Sequence, residues 1–275
     1  MDCIIANIMK FIDLSIPITN PDELVFDPPL SRPSITYTLH DEGAEQMEFA
    51  FPKLKSEEHL PDGKGWATEI LNIHTHSGTH MDAPWHFAPV MDREIGEKKA
   101  LTIDEFPLEW GIGPLIVLDC TDLEDGYVLT PADIDEKLKK INHTLQVGDI
   151  LCVHTTASKF FGTKEYINHG VGVGRKATLH IIRQGVHVVG IDAWSWDAPF
   201  QLTATKCKKM VKAKNPDPSI IWEGHFAGIE LGYFQMEKLT NLDKVPAVGA
   251  TIYCFPVKIA RASAGWVRAV ATVSE

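Results

Sequence analysis

Three runs of strand length carry apolar, mostly branched residues at consecutive positions: residues 113–119 (GPLIVLD), 149–154 (DILCVH) and 186–192 (VHVVGID). Runs this short, bounded by turn formers, read as buried strands rather than helices. Helical patterns lie between them. Thr130 followed by Pro131 opens one over 130–140, with a capping hydroxyl and a proline at the first helical position. Residues 176–184 form another, with Gly185 as its stop. Two more strands are expected at 251–256 and 266–273, the last with Val267, Ala269 and Ala271 alternating against Arg268, Val270 and Thr272. Strand and helix patterns mixed in one chain give an α/β class with a mixed, β-rich sheet and flanking helices. A length of 275 residues suits one large core, so residues 1–275 are read as a single domain. Pro17, Pro21, Pro28, Pro29 and Pro33 make residues 1–33 an extended N-terminal arm.

Charge narrows the function classes. A formal net charge of −11 disfavours nucleic-acid and anionic-membrane surfaces, which require clustered Lys and Arg. The basic stretch from Lys206 to Lys214 is broken by Met210 and Val211 and reads as a solvated surface. No run approaches the roughly 20 apolar residues of a membrane span, and Asp2 precedes the short apolar run at 4–6, unlike a secretory signal. Five scattered cysteines without close pairs read as reduced thiols in a cytoplasmic protein.

The chemistry is concentrated in residues 73–87, IHTHSGTHMDAPWHF, which hold four of the twelve histidines and one carboxylate. Imidazole and carboxylate are ligands for zinc, manganese or iron. Side chains four apart on a regular strand are about 13 Å apart, too far to share an ion, whereas a turn brings them to roughly 6 Å. Gly78, between His76 and His80, is where an arriving strand would bend so that both imidazoles converge with Asp82; Pro84 then fixes the exit. Structural zinc sites usually close with cysteine, and none is near, which favours an open, catalytic ion.

The segment His76-Ser-Gly-Thr-His80-Met-Asp82-Ala-Pro84-Trp-His86 resembles the signature of the cyclase family of metal-dependent hydrolases, which includes bacterial kynurenine formamidase and isatin hydrolase. Residues 11–15, 190–192, 255–257 and 268–270 extend the likeness over nearly the whole chain. The resemblance implies a swivelling β/β/α fold and one or two divalent ions, Mn²⁺ or Zn²⁺, on His76, His80 and Asp82. It adds His225 and Glu237, twelve apart, as further ligands and puts His86 beside the metal; His86 or Glu237 is then read as the catalytic group that takes the proton of the attacking water and returns it to the leaving nitrogen. From the residues alone Glu230 is as available as Glu237. The family also implies a homo-oligomer, a homodimer or homotetramer. Its reaction would be hydrolysis of the C–N bond of an amide, formamide or lactam in a small molecule. The substrate would be aromatic if Trp66, Trp85, Phe87, Trp194 and Trp196 line the pocket rather than pack the core.

His74 reads either as a group orienting a ligand or as a core histidine. Residues 153–156, VHTT, depart from the Arg-Thr-Gly-like sequence of many relatives. Rival readings are a lactone hydrolase or cyclase acting on a C–O bond, a metal- or ligand-binding protein without turnover, and a non-haem iron oxygenase.

Overall fold

A computed structural model describes residues 9–20, 27–28 and 32–274. The expected arm over 1–33 falls partly outside these; its described part includes the strand Met9–Asp13. The chain divides into two compact units, one running up to Pro17 and resuming at Thr75, the other Ile18–His74. The smaller unit contains an antiparallel strand pair, Ser34–Thr38 with Thr68–Asn72, and the helix His40–Ala50. Trp66 Nε1 donates to Gln46 Oε1 of that helix at 2.9 Å. His74, at its end, is exposed and so is not a core histidine.

The larger unit is built on one nine-stranded sheet. Its strands are β1 (Met9–Asp13), β2 (His80–Asp82), β3 (Ile112–Asp119), β4 (Ile150–His154), β5 (Val188–Ile191), β6 (Phe234–Glu237), β7 (Ala250–Tyr253), β8 (Ala264–Trp266) and β9 (Val270–Ser274). They lie in the order β1-β9-β7-β3-β4-β5-β6-β2-β8. The pairs β3/β4, β4/β5 and β5/β6 are parallel and the rest antiparallel, so the sheet is mixed.

Two of the helices beside the sheet follow from the sequence. Pro131–Lys140 starts with Thr130 as its cap, the hydroxyl accepting from Asp133 N, and packs on β3. Arg175–Ile182 packs on that helix, and Gly185 just beyond it has φ +91°. Leu115, Val117, Ile150, Cys152 and Val188 join Met81, Met236, Phe234 and Ile252 in one buried cluster. The basic stretch after Lys206 is part of a helix, Phe200–Lys212, with no fully buried residue.

The strand expected over 266–273 is two strands, and the reason is geometric. Trp266 ends β8 at one end of the sheet order, and Val270 starts β9 near the other. Seven inter-strand steps across a flat sheet would separate them by about 34 Å. Four residue steps reach at most about 14 Å, so the sheet curls until its ends meet. Residues 267–269 bridge the seam: Val267 N donates to Thr79 O, and Ala269 O accepts from Leu14 N. Alternation survives the break, with Val267, Ala269 and Ala271 all buried. The strand expected over 251–256 likewise ends at Tyr253, while Pro256 forms an isolated bridge with Val267.

Candidate metal centre

The site is assembled where β2 and β6 lie side by side. In this antiparallel pair Glu237 faces His80 and Gln235 faces Asp82. Residues two apart on a strand share a face, so these four polar side chains form one patch. Met81 and Met236, on alternate positions, enter the hydrophobic cluster instead.

Gly78 supplies the turn before β2, at φ +64°. Residues 75–79 are turn and bend, so the strand expected to arrive at Gly78 is absent there. Pro84 opens the short helix Pro84–Phe87, which carries His86, and Glu223–Phe226 carries His225.

Asp82 is the hub. Its Oδ1 lies 3.2 Å from His76 Nε2 and 3.3 Å from His80 Nε2, and its Oδ2 lies 3.8 Å from both His86 Nε2 and His225 Nε2. Glu237 is 3.6 Å from His80 Nε2 and 3.5 Å from His225 Nε2. Two triads, His76/Asp82/His86 and His80/Asp82/Glu237, each bring their ligand atoms within 4.8 Å of one another, and they share Asp82. His225 belongs to neither triad: its Nε2 also sits 2.7 Å from Gln235 Nε2. Glu230 lies elsewhere, paired with Arg175.

Nearly all of this is buried, and the site demands positive charge. Burial raises the cost of ionising Asp82, yet the neighbouring imidazoles His80, His225 and His86 outweigh it and hold its pKa well below the usual carboxylate range. Burial works against a charge on His225, but Asp197 and Asp82 prevail and lift it to about 10. His80 is raised in the same way by Asp82 and Glu237. Glu237 is raised by its own burial and by the charge of Asp82. The His80 and His225 imidazoles and the Glu237 carboxyl are thus shifted towards their protonated forms and Asp82 towards its charged form. His80 Nε2 and Asp82 Oδ1 have no hydrogen-bond partner although fully buried. Orphaned atoms of these two types, facing one another, are what a divalent cation would satisfy.

Several surrounding groups escape a reading of the sequence. Asp197 Oδ2 accepts from His225 Nδ1 at 2.5 Å and from His225 N at 3.1 Å, fixing the ring so that Nε2 points at the carboxylates. Gln235 Nε2 donates to Glu237 Oε1 at 2.9 Å and Asp82 Oδ2 at 3.2 Å, and Trp196 N donates to Glu237 Oε1 at 2.8 Å. Lys238, buried and at φ +57°, donates from Nζ to His76 O. Trp222, also left-handed at φ +55°, stacks on His225 at 4.3 Å and meets His86 edge-on at 5.1 Å. Only the spacing of Gln235, two before Glu237, could have pointed to any of them. Among the expected aromatic residues, Trp196 and Phe87 are core packing, Trp196 donating to Thr178 Oγ1, whereas Trp85 is exposed.

A family model described as putative cyclase matches residues 12–198. An isatin hydrolase of Roseibium aggregatum is 26% identical over 228 residues, 80% of each chain. Among solved structures, an isatin hydrolase bound to the product analogue thioisatinate superposes with a TM-score of 0.69 at 21% identity, covering 97% of this chain and 93% of that one. A potential metal-dependent hydrolase with cyclase activity gives 0.63 at 20% identity, covering 98% and 100%. The mixed α/β fold is thus shared with these structures.

Proposed function

Because the chain belongs to the cyclase family, we propose that it is a metal-dependent hydrolase opening the C–N bond of a non-peptide amide, formamide or lactam. The observation that carries this reading is the buried Asp82 ringed by four imidazoles, with His80 Nε2 and Asp82 Oδ1 unsatisfied. The isatin hydrolase relative supports a small, flat lactam as the substrate class.

His76, His80, Asp82 and Glu237 would hold the cation, Mn²⁺ or Zn²⁺, with His225 completing the set or binding a second ion across Asp82. A divalent cation so held lowers the pKa of water to around 7 and polarises a carbonyl oxygen. His86 is a quarter exposed, with Nδ1 3.1 Å from His76 Nε2. It is thereby placed to take the proton of the attacking water and return it to the leaving nitrogen. Glu237, beside His80 and His225 on the buried side, is the second candidate to carry that proton. Asp197 holds the His225 ring with its Nε2 towards Asp82 and Glu237. Trp222, half-buried beside His86 and His225, and the exposed Trp85 are the indoles available to a ring. We take the assembly to be a homodimer or homotetramer, and the four described cysteines, all free, suit a cytoplasmic setting.

The test is hydrolysis of isatin and N-formylkynurenine, beside a matched lactone, by chelator-stripped protein with Mn²⁺ or Zn²⁺ restored. Metal-dependent turnover of either amide supports the reading. Turnover of the lactone alone moves it to a C–O bond, and absence of metal uptake ends it.

A further inference from the structure

The three parallel strands β3, β4 and β5 present a second set of metal-type side chains at their carboxyl ends. Asp119 ends β3, His154 ends β4 beside it in register, and Asp192 directly follows β5. Open α/β sheets place ligands at this edge of their parallel strands. None of the three belongs to the metal centre described above.

The Asp192 carboxylate is fully buried. Its Oδ1 accepts from Thr155 N at 2.9 Å and Thr155 Oγ1 at 2.8 Å, while its Oδ2 has no partner in good hydrogen-bond geometry, the Ser158 hydroxyl lying beside the carboxylate. The nearest ring is that of His154, with Nε2 3.8 Å from Asp192 Oδ2 and Nδ1 4.0 Å from Asp119 Oδ1. An ionised oxygen buried without a partner is costly, and a proton or a cation relieves the cost.

The arrangement repeats part of one already met. His225 has a carboxylate, Asp197, at Nδ1 and a fully buried aspartate oxygen, Asp82 Oδ2, 3.8 Å from Nε2. What the two places share is an imidazole Nε2 3.8 Å from a fully buried aspartate oxygen; Asp119 is 4.0 Å from the His154 ring, outside hydrogen-bond reach, and accepts instead from Thr121 N and Thr121 Oγ1. Two donors each about 2.1 Å from an ion lie roughly 3.4 Å apart at the tetrahedral angle, so 3.8 Å closes with a shift of a few tenths of an ångström. Asp243 adds negative charge near His154 and Lys159 opposes it.

We propose that His154 Nε2 and Asp192 Oδ2, with the exposed Asp119 carboxylate adding negative charge at the mouth, form a second divalent-cation site of the zinc or manganese class, distinct from the metal centre at Asp82. Water would complete its coordination.

The experiment is equilibrium dialysis of the chelator-stripped full chain against Zn²⁺, with elemental analysis of bound metal. Wild type is expected to hold one ion more than Asp192→Asn, which keeps the oxygen that Thr155 bonds. His154→Gln is expected to lose the same ion, and Asp82→Asn to retain it, so failure here is distinct from failure of the main site. Equal zinc in wild type and either variant overturns the proposal. Should Asp192→Asn not fold, as judged by circular dichroism, the count in His154→Gln decides alone.

Discussion

Two parts of one sheet handle polarity in opposite ways. In β3, β4 and β5, successive residues such as Leu115, Ile116, Val117 and Leu118 are buried on both faces, and polar side chains wait for the strand ends. In β2 and β6 every second residue is polar and still buried: His80, Asp82, Gln235 and Glu237 alternate with Met81 and Met236. Packing holds the first region together. In the second, each polar group is tolerable only while its partners are in place, since leaving one buried charge alone costs about 3–5 kcal/mol. Substitutions should therefore separate stability from chemistry according to which region they strike.

The largest expected effect is at the hub. Asp82→Ala should abolish both metal uptake and amide hydrolysis, read by elemental analysis and turnover, while far-ultraviolet circular dichroism still reports the sheet. His86→Ala should keep its metal and lose about 10²–10⁴-fold in kcat; equal loss of metal would make it a ligand rather than a base. Leu151→Ala, in the packed region, should cost about 2–5 kcal/mol in denaturant unfolding and leave the metal count of folded protein unchanged. Asp197→Asn should weaken metal affinity by about 10–100-fold, measured by chelator competition.

The smallest test concerns pH. Burial raises the Asp192 carboxyl to about 7 from an ordinary 3.8. A raised folded pKa contributes stability that is complete below the unfolded value and is lost as pH rises through the folded one. Metal-free wild type should therefore lose stability between about pH 4 and 7 relative to Asp192→Asn, visible in thermal melts. Parallel curves for the two proteins would remove the burial argument.

Local signals carried much of the architecture. Thr130-Pro131 marked a helix start because capping is settled within one turn, and the cores of β3, β4 and β5 showed as apolar runs. The clustering of His76, His80, Asp82 and His86 was visible because one short segment holds them. What stayed hidden is non-local. Nothing in residues 264–274 reveals that one strand-like pattern serves both ends of a curled sheet. Asp197 and Gln235 look like any lone polar residue until Asp197 meets His225 and the β2/β6 register sets Gln235 opposite Asp82. Glu237 and Glu230 became distinct only when β6 turned one towards His80 and Arg175 engaged the other.

The seam at residues 267–269 also imposes an order on biosynthesis. The strand bearing His80 and Asp82 is flanked by β6 and β8, both made long after it. A nascent chain leaving the ribosome at roughly 5–20 residues per second must therefore carry His80 and Asp82 with both backbone edges unpaired until residue 237 has emerged, and with one edge unpaired until residue 266. The candidate metal centre is then assembled late in folding, and a chain stalled before β8 would expose an edge strand open to the wrong partner.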